Sequence, residues 1–273
     1  MAPSKAVREA ESTFARLRAA HPEAHCELDH EGAFHLVVAT VLSAQTTDVN
    51  VNKSTPVLFA RYPDAAALAA ANPPDVEKII GSLGFFRQKT KSIVGLAKKL
   101  VEKHGGEVPR TLAELVLLPG VGRKTANVVL GVAFNAPEGV VVDTHVQRIS
   151  QRLGWTKHDE PEKIERDLMR LFPREQWDAI GHTLIFHGRR ICSARKPACA
   201  ACAVNDACPS AFKAEKVGRK PSRERPKVAA TPKSRPRKGA AQAKKRANGA
   251  GPPSKKRVAS RATKKAPATS VRA

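Results

Sequence analysis

Lys124 closes the string Leu118-Pro119-Gly120-Val121-Gly122-Arg123, a glycine-bearing turn between two helical patterns, and Val142-Asp143-Thr144-His145 follows it downstream. Glycine at 120 and 122 tolerates backbone angles that side-chained residues resist. It also lets a phosphate reach the amides at the start of the next helix, where the helix dipole favours anions. An amine placed there has two uses. It meets a phosphate as a point charge, or, when neutral, it attacks C1′ of a deoxyribose, expels the base and leaves a Schiff base. A free lysine with a pKa near about 10.4 is neutral to well under ~1% at pH 7, so the second use needs help. The helix N-terminus, the adjacent Arg123 and loss of water all favour the neutral form. Asp143 reads as the N-cap of a helix over 144–152 and also as a carboxylate able to stabilise positive charge on the sugar and assist proton transfer. A carboxylate near Lys124 favours the ammonium, so Asp143 is not its main activator in the free protein.

Four of the five cysteines crowd into the spacing Cys192-x6-Cys199-x2-Cys202-x5-Cys208. That is too local for a disulfide framework and points to metal in a reducing compartment. Four thiolates suit zinc or an iron–sulfur cluster. Structural zinc usually takes two short-spaced pairs, and here only Cys199 and Cys202 form one, so the spacing favours the bulkier cluster. The remaining Cys26 reads as an inert, unligated thiol. Arg189, Arg190, Arg195 and Lys196 flank the cluster loop and are either phosphate contacts or plain solvated charges.

The elements that must carry these groups read as helices. Val7, Ala10, Phe14 and Leu17 recur at helical spacing, and residues 33–44 are apolar nearly all round, as in a buried central helix. Further helices fit 48–60, 64–71, 74–80, 88–104, 112–118, 123–134, 144–152, 161–171 and 175–187. Thr111 and Glu114 form a capping box before 112–118. Together with 123–134 that segment makes a helix-hairpin-helix. Val140-Val141-Val142 is the best strand candidate and is too short, so the fold class is all-α. Of the formal net charge of +23, residues 213–273 carry +19, from 21 Lys/Arg against Glu215 and Glu224. This segment is too polar to bury a core and reads as a disordered basic tail suited to phosphate without sequence preference. No stretch is apolar enough for a membrane span and no signal-peptide core is present, so a cytoplasmic, nucleoid-associated protein is expected.

Over about residues 5–212 the sequence resembles the endonuclease III family of base excision DNA glycosylases/lyases, through the hairpin string ending in Lys124, the Val-Asp-Thr-His segment and the cysteine spacing. The resemblance implies two helical lobes with DNA between them, one at 30–137 with the hairpin and one joining 1–29 to 138–212. It implies that Lys124 is the Schiff-base nucleophile, that Asp143 is the second catalytic group, and that the four cysteines hold a [4Fe-4S] cluster. Relatives lacking the lysine only remove the base, so its presence argues for the strand-nicking type, acting on oxidised pyrimidines and cutting by β-elimination. The implied substrate is duplex DNA with damaged bases or abasic sites, bound by a monomer. Turning a nucleotide out of the duplex costs a few kcal/mol, and a residue is needed to fill the gap. Gln45 in Leu42-Ser43-Ala44-Gln45-Thr46-Thr47-Asp48 matches the family's gap-filling glutamine, although it also reads as a helix C-cap. Phe85 in Gly84-Phe85-Phe86-Arg87 takes the place of an apolar wedge, often leucine, and either phenylalanine also suits a core. Gly120, Gly122, Arg123, His145 and Arg190 complete the expected DNA contacts. Two alternatives remain open here: a mismatch glycosylase for thymine or uracil, and a non-catalytic helix-hairpin-helix DNA-binding protein with a zinc-like knot.

Overall fold

The structure, a computed structural model, describes residues 4–218, and among these every regular element is helical. In chain order they are α1 (Lys5–Ala20), α2 (Gly32–Leu42), α3 (Asp48–Arg61), α4 (Ala65–Ala69), α5 (Pro73–Ile80), α6 (Phe86–His104), α7 (Leu112–Leu115), α8 (Arg123–Phe134), α9 (Thr144–Arg152), α10 (Pro161–Leu171) and α11 (Trp177–Arg190). Short 3-10 turns lie at Arg174–Gln176, Cys199–Ala201 and Ala214–Lys216.

The apolar residues sort into two cores. The first centres on α2, whose Leu36, Val37, Val38, Ala39 and Leu42 are buried, against Ile93, Leu96 and Leu100 of α6 and Val129 and Leu130 of α8. The second joins Ala10, Phe14 and Leu17 of α1 to Val146 and Ile149 of α9, Ile164 and Leu168 of α10, and Ile180 and Leu184 of α11. The chain crosses between them at the valine run, which forms no strand. Val140 packs in the second core and Val141 in the first, as successive side chains of an extended segment must.

A polar seam joins the two cores. Glu165 of α10 is only 4% exposed. It accepts from Arg123 Nε at 2.6 Å and Nη2 at 3.1 Å, and from Asn127 Nδ2 at 2.9 Å. A Cβ at Gly139 would overlap its carboxylate, so a side-chain-free residue is required beside it.

Three boundaries differ from the sequence expectation by three residues or more. α7 forms one turn, capped by Thr111, whose hydroxyl also donates to Glu114 Oε2 at 2.6 Å. It stops at Leu115 rather than 118, consistent with the aversion of a pre-proline residue to helical angles. α11 runs on to Arg190. Residues 213–218 are folded rather than disordered: Ala214 is buried, and the Val217 carbonyl accepts from Arg152 Nε at 3.0 Å. The rest of the expected basic tail lies outside the described residues.

Replacing Glu165 by Ala should lower stability by about 2 kcal/mol, the scale for removing one partner of a buried, bidentate charge pair whose other member is half exposed. Glu162→Ala on the exposed side of the same helix should stay within about 0.5 kcal/mol. Denaturant unfolding of both variants checks this, and equal losses would show that the seam adds nothing.

Candidate active site and cysteine pocket

The hairpin is built from two buried plugs and one special backbone position. Leu118 and Val121 are buried in the first core, while Leu117 between α7 and the turn is 71% exposed. Gly120 has φ +80°, and a Cβ there would come within 2.9 Å of Ser92 Cβ and 3.1 Å of Val41 Cγ1. Glycine is therefore required twice over, by backbone angle and by close approach. Gly122 differs from the expectation. Its angles are ordinary (φ −96°, ψ 174°), and a Cβ would meet nothing within 4 Å. Its contribution is openness. As the N-cap of α8 it supplies no side-chain acceptor, so the first-turn amides face an unobstructed space suited to an anion.

Lys124 and Asp143 line one open cleft with Glu27, Thr40, Asp48, His182 and Arg189. Asp143 caps α9, its Oδ1 accepting from the amides of His145 at 2.7 Å and Val146 at 2.9 Å. Oδ2 is the oxygen not used by the cap. Asp48 belongs to the same electrostatic field: burial pushes its carboxyl above the usual range, Lys124 draws it back and Asp143 raises it. Arg189 Nη2 donates to Asp48 at 3.0 Å, and Arg189 also pairs with Glu27.

The surroundings of the amine correct the sequence reading. Lys124 is exposed to solvent, so water has not left it in the free protein. Arg123 faces α10 and is engaged by Glu165, which neutralises its charge and removes its guanidinium from a free phosphate-binding role. Arg190 is likewise taken up, with its Cζ 3.8 Å over the Phe186 ring and Nη2 3.7 Å from Glu27. His145, also expected at phosphate, is half-buried with Nδ1 3.1 Å from Arg148 Nη2. Burial pushes its pKa down, and Arg148 adds to this against the opposing pull of Asp143. It is a neutral packing residue behind Asp143.

Gln45 and Phe85 share an uncommon feature. Both have left-handed backbones, with φ 56° and 59°, and both are exposed, Phe85 to 68%. Non-glycine residues held there cost on the order of 1 kcal/mol or more, and such positions gather at functional sites. Phe86, by contrast, packs against the first core, so the structure separates two phenylalanines that the sequence leaves equivalent.

All four cluster cysteines border a single pocket, which is otherwise lined largely by apolar residues including Ile149, Leu153, Ile191, Pro197 and Val204. Burial, and to a lesser degree the neighbouring thiols, raise the pKa of Cys202 and Cys208. Thiolates there therefore need a cation. Arg152, 1% exposed, supplies one: its Nη1 donates to Cys192 Sγ at 3.2 Å and to the Ser193 carbonyl at 2.8 Å, and its Nη2 to Ala194 at 3.0 Å. His187 Nε2 lies 3.6 Å from Cys202 Sγ. Among the described residues no three or more Cys, His, Asp or Glu side chains converge on the position of a single ion; the four thiols surround a space instead. Soft sulfur donors around an apolar cavity with N–H donors behind them fit an iron–sulfur group. Sequence reasoning missed Arg148 and Arg152, because an arginine pair four apart on an amphipathic helix reads as solvent-facing.

The chain matches the HhH-GPD superfamily of base excision DNA repair proteins over residues 38–174. It is 54% identical to the endonuclease III of Synechocystis sp. over 195 residues, 71% of this chain and 89% of the relative. Among solved structures it is similar to a trapped endonuclease III–DNA covalent intermediate, with TM-score 0.71 and 41% identity over 77% of this chain and 98% of the other. It is equally similar to a non-covalent endonuclease III–DNA complex, with TM-score 0.72 and 40% identity over 79% and 100%.

Because burial holds the His145 pKa below its ordinary 6.5, the unfolded chain takes up a proton that the folded chain resists. The stability tied to this imidazole is intact at neutral pH and is lost as pH falls below 6.5. Unfolding free energies at pH 7 and pH 5 should therefore fall less steeply for His145→Gln than for the parent. Identical slopes would mean that the ring titrates freely.

Proposed function

This chain belongs to the endonuclease III family of HhH-GPD base excision DNA repair proteins, and from that premise we propose that Lys124 and Asp143 act on one deoxyribose of a damaged duplex. The activity is that of a base excision DNA glycosylase and abasic-site lyase. The observation that carries the residue assignment is that the amine and the carboxylate line one cleft at the uncapped start of α8. Backbone phosphate held by those amides brings the sugar to Lys124, and the DNA itself removes the water that surrounds the amine in the free protein.

The neutral Nζ forms a bond to C1′ while the C1′–N bond to the base breaks, the electron pair leaving with the base, which takes up a proton. The C1′–O4′ bond then opens, its electron pair staying on O4′, which takes up the proton lost from Nζ, and the iminium results. Removal of a C2′ proton then drives cleavage of the C3′–O bond, and the strand is cut on the 3′ side. Water finally hydrolyses the imine and frees Lys124. The free Oδ2 of Asp143 stabilises the positive charge that builds on the sugar as the base departs and relays protons in the later steps. The same carboxylate is fixed by its cap bonds, so little reorganisation is needed when charge develops.

The lesions are oxidised pyrimidines such as thymine glycol in double-stranded DNA, and the protein works as a monomer in the cytoplasm, on nucleoid DNA. Gln45 and Phe85, both exposed on left-handed turns, fill the gap left by the extruded nucleotide. Cys192, Cys199, Cys202 and Cys208 would hold a [4Fe-4S] cluster, whose contribution would be a structural cross-link of the loop after α11. Arg152 and His187 then serve as N–H donors to its thiolates.

Duplexes carrying single lesions, scored separately for base release and strand cutting, test the reading. Lys124→Ala should abolish borohydride trapping of the protein–DNA adduct while DNA binding stays measurable; persistent trapping would remove Lys124 from its role. Asp143→Asn keeps an oxygen for the cap, so base release should fall by about 10²-fold or more with little change in thermal midpoint. Broad visible absorption of the purified protein, lost in Cys202→Ser, is expected of the cluster. A colourless protein with stoichiometric zinc would refute it.

A further inference from the structure

Lys89 is a buried cation whose place in the fold is not explained by packing. It is 5% exposed, although lysine stems ordinarily carry their charge out to water, and burial pulls its pKa below the ordinary value. Its Nζ donates to Thr46 Oγ1 at 2.7 Å, across 43 positions of sequence. Thr46 directly follows Gln45 and is anchored by its own amide to the Ser43 carbonyl at 3.0 Å. At the other end, the Lys89 amide closes the first turn of α6 on the Phe85 carbonyl at 3.0 Å. One side chain thus spans the bases of two separate loops, and each loop presents an exposed side chain from a left-handed backbone.

We propose that Lys89 is a positioning residue that fastens these two loops together, so that Gln45 and Phe85 enter a duplex as a single preset wedge. The inference rests on the gap-filling role given to Gln45 and Phe85 above. Two tips entering neighbouring spaces of a base stack must hold their spacing to a fraction of the ~3.4 Å rise between nucleotides. Loops that order only on binding lose affinity to conformational entropy, whereas loops tied beforehand do not. A methionine would fill the same volume without the desolvation of an ammonium. The charge is explained by the directed bond to Thr46, which an apolar side chain lacks.

The test compares the cluster-loaded protein and its variants on an abasic site in a duplex and on the same strand left single, where there is no stack to enter. A 2-aminopurine opposite the site reports opening of the stack. Lys89→Met and Thr46→Val should each reduce the duplex-to-single-strand ratio of cutting rates by about tenfold or more and weaken the fluorescence rise. Thr46→Ser, which keeps the hydroxyl, should restore both. The double variant should be no worse than either single one, because both remove the same bond. Gln45→Ala and Phe85→Ala are run in parallel. If neither lowers the ratio, the wedge reading itself fails and takes this inference with it. If they lower it while Lys89→Met and Thr46→Val leave it at the parental value, or reduce both rates equally, the strut alone is overturned.

Discussion

A carboxylate taken out of water must find a cation or lose its charge, and Glu165 finds Arg123. That pairing is the constraint from which the geometry of the candidate site follows. Arg123 is the first residue of α8 and Lys124 the next, about 100° further round the helix. Clamping the arginine to α10 with two hydrogen bonds, and adding Asn127 one turn on, sets the rotation of α8 against the second core. Lys124 is thereby turned into the cleft that Asp143 lines from α9. The amine and the carboxylate come from different cores, and the seam between them is polar, bidentate and directional. A purely apolar contact would allow sliding that this one does not.

α9 links the two candidate sites. Its N-cap is Asp143, while Arg148 and Arg152 on its buried face reach the carbonyls and a sulfur of the cysteine loop. Nine residues span only about 13 Å at 1.5 Å per residue, so cap and loop share a single short rod. A group held by the four thiols would therefore stiffen the element that carries the carboxylate. This gives a structural purpose to the cysteine loop without any electron transfer.

Much of this was legible in the sequence. The helices announced themselves by period, Thr111 caps α7 as expected although Glu114 accepts from its hydroxyl rather than from its amide, and Asp143 caps α9. What escaped was whatever depends on the partner across a tertiary contact. Arg123 reads as a phosphate ligand until Glu165, 42 positions away, is seen to occupy it. Arg148 and Arg152 read as surface until the loop that buries them is in place. Phe85 and Phe86 are chemically identical, and only the left-handed turn that begins α6 sends one outward. The end of the folded part was misjudged for the same reason: Val217 looks like tail, yet its carbonyl completes the shell of Arg152. Short-range pattern predicts elements, whereas charge assignment needs the long-range pairing.

Among the described residues no side chain caps the first turn of α8, and what that turn offers an anion is peptide N–H alone. Such a holdfast cannot titrate, oxidise or be phosphorylated. On the proposed reading, the hold on the sugar–phosphate rail rests on main-chain atoms rather than on a charged side chain. The amine of Lys124 then does its chemistry beside that hold without being part of it.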